Sequence, residues 1–210
     1  MTIVGILGMI HDEEWQRIYH YPLSLAEELI VEFNPDVICG EVHPDSWSLY
    51  RGGGDPRGIY EETQPEYPAL IFPLCEEKGI EFIPVNWFEF DVFKGRFDSF
   101  PQTKKEELET ELFLWTARQL ETWDSGSIPV NSLDYDRITR EKYEWLHSVS
   151  PDVEDINWNA RHFIMLQRVK NAIQAHEGKR ILCVHGADHN YWYHSALQKV
   201  PQVQVVYPLR

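Results

Sequence analysis

One short pattern occurs at both ends of this chain, and it limits the possible folds more than any other feature. The apolar run at 2–7 (TIVGIL) leads into Gly8-Met9-Ile10-His11, and the run at 180–185 (RILCVH) leads into Gly186-Ala187-Asp188-His189. A third run, 37–42, contains Gly40 followed by Glu41. Short apolar, β-branched runs fit strands buried on both faces, which belong to parallel sheets covered by helices.

Helical spacing fills the intervals. Leu25, Ala26, Leu29, Ile30 and Phe33 predict a helix from Pro22 that Asn34-Pro35 ends. The loop at 45–62 carries RGGGDPRG but lacks the Lys-Ser/Thr ending of a phosphate-binding loop. A helix at 67–77, interrupted near Pro73, precedes a strand at 81–85 that Pro84 places near a strand end. After an aromatic connection, Leu108, Leu112, Trp115 and Leu120 mark an amphipathic helix at 104–123, and 136–149 reads as another. A long helix from Pro151 to about His176 puts Ile156, Phe163, Ile164, Val169 and Ile173 on its apolar side, and Gly178 caps it. A helix after His189 runs to Leu197, and a last strand covers 202–207. The expected fold is a single α/β domain over 1–210, a mainly parallel central sheet flanked by helices. A helical insertion at 88–150, between the third and fourth strands, is a candidate cap.

In a parallel α/β sheet, ligands bind at the carboxyl ends of the strands. His11, Glu41 and His189 all fall there, so three distant segments supply one expected site. The glycines at 8 and 186 are read as strand-exit turns that let a side chain fold back over the sheet edge. Two histidines and a glutamate are a donor set of catalytic zinc sites, where the ion supplies hydroxide near neutral pH. The same trio works without metal, with a histidine as general base and Glu41 fixing its tautomer or activating water. Both mechanisms stay open at this level. The acidic run Asp12-Glu13-Glu14 after His11 lowers the local potential and favours a cation. His43 is open between an extra ligand and a supporting residue, and His185 reads as a core histidine. His20, His147, His162, His176 and His194 read as surface or helix-end residues.

These motifs resemble the TraB/Tiki/ChaN/erythromycin-esterase-like superfamily, whose pattern is two Gly-x-x-His motifs with a glutamate ending the second strand. Gly8-Met9-Ile10-His11, Val37-Ile38-Cys39-Gly40-Glu41 and Gly186-Ala187-Asp188-His189 carry the resemblance from end to end. Some members also have a Glu-Arg-Asn/Asp motif on the preceding helix; Ala160-Arg161-His162, with Met165 beyond, keeps the arginine and departs at the other two positions. The resemblance implies a hydrolase of amide or ester bonds acting on a small molecule or peptide. His11, Glu41 and His189 would hold a divalent zinc or manganese ion or activate water, and Arg161 would steady developing negative charge. The superfamily's alternative is a non-catalytic protein that binds haem, iron or another small ligand.

Charge narrows the partners. A net charge of -15 repels nucleic acid and anionic membrane surfaces from most of the chain. Neither an 18-residue apolar run nor a basic leader is present, so the expected setting is cytoplasmic. Cys39, Cys75 and Cys183 lack metal-ligand spacing and read as reduced core residues. The sequence leaves the oligomeric state open.

Overall fold

The computed structural model describes residues 1–59, 61–89 and 91–209. Five strands, β1 (Thr2–Met9), β2 (Val37–Gly40), β3 (Glu81–Pro84), β4 (Arg180–Gly186) and β5 (Val203–Val206), form one sheet. All their pairings are parallel, and the order is β3-β2-β4-β1-β5. The fold is α/β, as expected. The late strand β4 sits between β1 and β2, so both ends of the chain lie side by side.

Alternation along the strands divides the core into two layers. Leu7, Ile38, Leu182 and Val184 point to one face, against helices α2 (Leu23–Phe33) and α4 (Phe72–Lys78). Val4, Ile6, Val37, Cys39, Ile181 and Cys183 point to the other, against α8 (Arg161–Ala175) and α9 (Asn190–Leu197). Each side chain is almost fully buried, as a sheet covered on both sides requires. All three cysteines are buried and free.

Two helices lie where the sequence predicted none. Helix α1 (Glu13–Ile18) starts right after His11, capped by the Asp12 side chain on the Trp15 N–H. Helix α3 (Pro44–Arg51) has proline in its first turn and the His43 imidazole as its cap. Both are short and each buries a single polar residue, Gln16 and Ser46, so the apolar periodicity that reveals a helix is missing from them.

Two π-helical turns break the predicted helices, one just before the interruption expected near Pro73 and one where none was expected. One covers Tyr67–Ile71 and runs into α4. The other, Asp155–Ala160, joins α7 (Pro151–Glu154) to α8 within the long helix. Phe163 is 67% exposed rather than on the apolar side, because it stands roughly 100° of helix rotation away from the stripe that α8 buries. The residues that α8 buries include Met165, Leu166, Val169 and Ile173. Between β3 and β4, helices α5 (Gln102–Leu120) and α6 (Leu133–Val149) stand over the carboxyl ends of the strands with their own apolar cluster around Leu108, Tyr143, Leu146 and Trp158. Among the described residues, no helix is long and apolar enough to cross a membrane.

Tyr67 fixes the strand exits that matter most. Its buried hydroxyl accepts from the Glu41 N–H at 2.6 Å and donates to the Val184 carbonyl at 2.9 Å, tying the end of β2 to β4. Replacing Tyr67 with Phe keeps the ring packing and removes both bonds. It should lower unfolding free energy by about 1–3 kcal/mol, read from urea denaturation.

Candidate functional site

All four strand exits from β1 to β4 contribute to one cluster. His11 follows β1, Glu41 follows β2, Asn86 follows β3, and His189 ends the 3₁₀ turn Ala187–His189 that leaves β4. Glu41 is the hub. Its Oε2 accepts the Gly186 backbone N–H at 2.7 Å, and its Oε1 accepts from Arg161 Nη2 at 2.6 Å and faces His189 Nε2 at 3.2 Å. Asn86 Oδ1 holds the other edge of the Arg161 guanidinium, accepting from Nε at 3.0 Å and Nη2 at 2.9 Å. Burial raises the Glu41 pKa, but the charges of His189 and Arg161 and the His189 hydrogen bond outweigh it. The carboxyl is held well below the ordinary carboxylate range.

His11 approaches the same point from the opposite side. A Cβ added at Gly186 would lie 2.6 Å from His11 Nε2, so the imidazole rests against the bare Cα of that glycine. Neither Gly186 nor Gly8 has a left-handed backbone: Gly186 sits at φ -56 and ψ 139. The expected role as turn-makers is therefore replaced by close approach, because at Gly8 a Cβ would lie 2.7 Å from the Ala187 Cα. His11 Nδ1 lies 2.7 Å from Glu66 Oε1, and Glu66 is fully buried. A carboxylate can only accept, so Nδ1 carries the proton and Nε2 keeps its lone pair on the cleft side. Burial alone would lower the His11 pKa; the hydrogen bond and charge of Glu66, with the charge of Glu41, raise it above the histidine value.

The tautomer of His189 follows from its neighbours. The Trp158 carbonyl accepts from His162 Nδ1 at 2.7 Å, which leaves His162 Nε2 as an acceptor for His189 Nδ1 at 2.8 Å. Burial and the charge of His189 push the His162 pKa well below its usual value, keeping that ring neutral. His189 Nε2 then meets an ionised carboxylate, and only a proton between them makes that contact attractive. The π-turn at Asp155–Ala160 aims this relay, since Trp158, Arg161 and His162 lie on it or directly after it. Trp158 also stacks between Tyr143 (centroids 3.5 Å apart) and His189 (4.7 Å).

The α5–α6 pair is pinned to the rim through Asp188, the third residue of the second Gly-x-x-His motif. Lys142 Nζ reaches Asp188 Oδ2 at 2.7 Å and Gln119 Oε1 at 2.6 Å, and Tyr143 donates to Oδ2 at 3.0 Å. Burial opposes ionisation of Asp188, but Lys142, Gln119 and Tyr143 prevail and bring its pKa down to about 2. Between these helices and the strand ends lies a cleft of about 770 Å³, with His11, Glu41, Arg161 and His189 among its walls.

The expected site residues His11, Glu41, His189 and Arg161 thus come together. His43 does not join them; its Nδ1 accepts the Asp45 N–H and caps α3. His185 is a buried neutral histidine, its pKa lowered to about 3 by burial and by His189. His162, read from sequence as a surface or helix-end residue, is fully buried and holds His189. Glu66 and Asn86 have no motif of their own; the available signal for Asn86 was its position just past the third strand, on the same rim.

Zinc or manganese at this point would need lone pairs turned to a common centre. His11 offers the right chemistry, with Nδ1 held by Glu66 and a lone pair on Nε2, whereas His189 Nε2 turns its proton to Glu41. Nor does Glu41 offer it: both its oxygens are engaged, and a guanidinium at 2.6 Å repels a second cation at Oε1. Among the described residues, no group of three His, Cys, Asp or Glu has the arrangement of an ion site. As arranged, the trio does not fit a divalent ion, and no step below runs through one.

Compared with protein families, curated proteins and solved structures, the chain matches none of them. The superfamily resemblance rests on its three short motifs.

Because Glu41 titrates below its unfolded value, its contribution to stability is full above about pH 4.5 and is lost as pH falls through the folded pKa. Glu41→Gln also leaves Arg161 buried without its carboxylate. At neutral pH the variant should be less stable by about 3–5 kcal/mol, a gap that narrows as the pH is lowered, measured by denaturant unfolding across pH.

Proposed function

We propose that this chain is a metal-independent hydrolase of ester or amide bonds. The observation that supports this most directly is the His11–Glu66 pair: a buried carboxylate fixes the imidazole tautomer and leaves Nε2 facing a cleft whose floor holds Arg161 and His189. That is the arrangement of a general base with its orienting group.

In this reading His11 Nε2 takes a proton from a water, whose oxygen bonds to the substrate carbonyl carbon. The carbonyl oxygen becomes an oxyanion beside the Arg161 guanidinium, which Glu41 and Asn86 hold in place. The carbon–heteroatom bond then breaks, and the leaving group takes the proton held between His189 and Glu41. His162 and the Trp158 carbonyl keep the His189 ring oriented for that transfer. Product release and a second water return the protons to their starting positions. Glu41 serves as the anchor of the cationic groups rather than as the base.

The test is turnover of small p-nitrophenyl esters and peptide amides, with and without chelator, on protein whose metal content has been measured. His11→Ala should lower kcat/KM by about 10²- to 10⁴-fold with the fold intact. Turnover that disappears with chelator and returns with zinc or manganese, or a Soret band from bound haem, would reject the metal-free reading.

The pH profile makes a second prediction. His11 must be neutral to act as base, so kcat/KM should rise with pH through a midpoint above 6.5, the direction in which its pKa is moved. Glu66→Gln removes the carboxylate whose charge and charged hydrogen bond do most to raise it, leaving the Glu41 charge alone against desolvation. The acid limb should then move to lower pH while the plateau falls.

A further inference from the structure

The cleft does not end at the cluster. Past Trp15, Thr116 and Leu120, which line both spaces, it opens into a second depression of about 760 Å³ between α1 and α5. Tyr19, Phe113, Ala117 and Trp123 are among its walls. The lining is mostly hydrocarbon and aromatic, unlike the charged floor around Arg161.

Two observations indicate that this surface is left for a ligand. Helix α5 has 19 residues but buries only Leu108 and Gln119, although its sequence carries an apolar stripe. Leu112, Trp115 and Leu120 of that stripe stay only partly covered, and Trp15 and Phe113 are 40% and 71% exposed. Contiguous exposed apolar surface of this kind is uncommon unless something occupies it. The groove is also reached directly from the proposed base, because Trp15, four residues beyond His11 in the chain, lines both spaces.

Resting on the hydrolase reading, we propose that the substrate is an acyl ester or amide with a long unbranched hydrocarbon chain. Its carbonyl carbon lies at His11 and Arg161, and its tail passes Trp15 and Leu120 into the α1–α5 groove. Water cleaves the acyl bond, giving a carboxylic acid and an alcohol or amine. A bilayer is a poorer occupant, since the exposed carboxylates Glu109 and Glu121 stand at this groove on a chain of net charge -15. A second copy of the chain would cover the groove but would not explain its continuity with the cleft.

The experiment compares p-nitrophenyl acetate with the octanoate, alongside fluorescence titration with 11-(dansylamino)undecanoic acid, on the full chain. Full burial is worth roughly fourfold in affinity per methylene, so even a half-open groove should raise kcat/KM for the octanoate by about tenfold or more. Ala117→Trp, which fills the groove away from the cluster, should abolish that gain and weaken probe binding while leaving the acetate rate unchanged. His11→Ala should abolish both rates and leave probe binding intact. Hydrolysis of the acetate with no chain-length gain and no probe binding overturns the groove alone. Probe binding that Ala117→Trp weakens, without hydrolysis of any ester, overturns the catalytic reading and keeps the groove. A dimer that excludes the probe and dissociates on Ala117→Trp, seen by light scattering, overturns the proposal in favour of self-association.

Discussion

A carboxylate buried at the end of a strand is the constraint around which this molecule is arranged. Glu41 cannot stay ionised without partners, and it gathers three: a backbone N–H from β4, a guanidinium from α8 and an imidazole beyond β4. Each bond ties a different segment to the exit of β2. The desolvation cost of the charge is offset only while all of them are in place, which makes the site and the strand order mutually dependent. Tyr67 adds a fourth tie, through the Glu41 N–H and the Val184 carbonyl.

The layer above follows the same physics. Asp188 is ionised because Lys142, Gln119, Tyr135 and Tyr143 descend from α5 and α6 to meet it. The helices over the cleft are thereby held by the second Gly-x-x-His motif, one residue from His189. Trp158 joins the two levels, stacked on Tyr143 above and on His189 below. Movement of the cap is therefore felt at the proton held between His189 and Glu41.

Much of this was legible in the residues. Apolar runs ending in glycine located β1, β2 and β4, and the parallel-sheet rule brought His11, Glu41 and His189 to one rim. What escaped had no local signature. Glu66 is an ordinary acidic residue after Gln64-Pro65, and only the π-turn beginning at Tyr67 buries it against His11. His162 was grouped with the surface histidines by residue type, although it stands four and seven residues before Leu166 and Val169 on the stripe that α8 buries. Phe163, next to it, was assigned to the core and is exposed. The glycines were noticed for the wrong property: conformational freedom is a sequence-level inference, whereas contact between His11 and the Gly186 Cα exists only in three dimensions.

The position of β4 has a bearing on how the protein comes into being. Its central place between β1 and β2 is filled by residues 180–186, which follow both of those strands in the chain by more than 130 positions. Until they arrive, the two earlier strands have no common neighbour, and Glu41 lacks the amide that binds its Oε2. A chain that stops before β4 therefore carries His11, Glu41, Asn86 and Arg161 but neither Gly186 nor His189, and the cluster is not assembled. The cluster around Glu41 forms only when the closing strand threads into its gap.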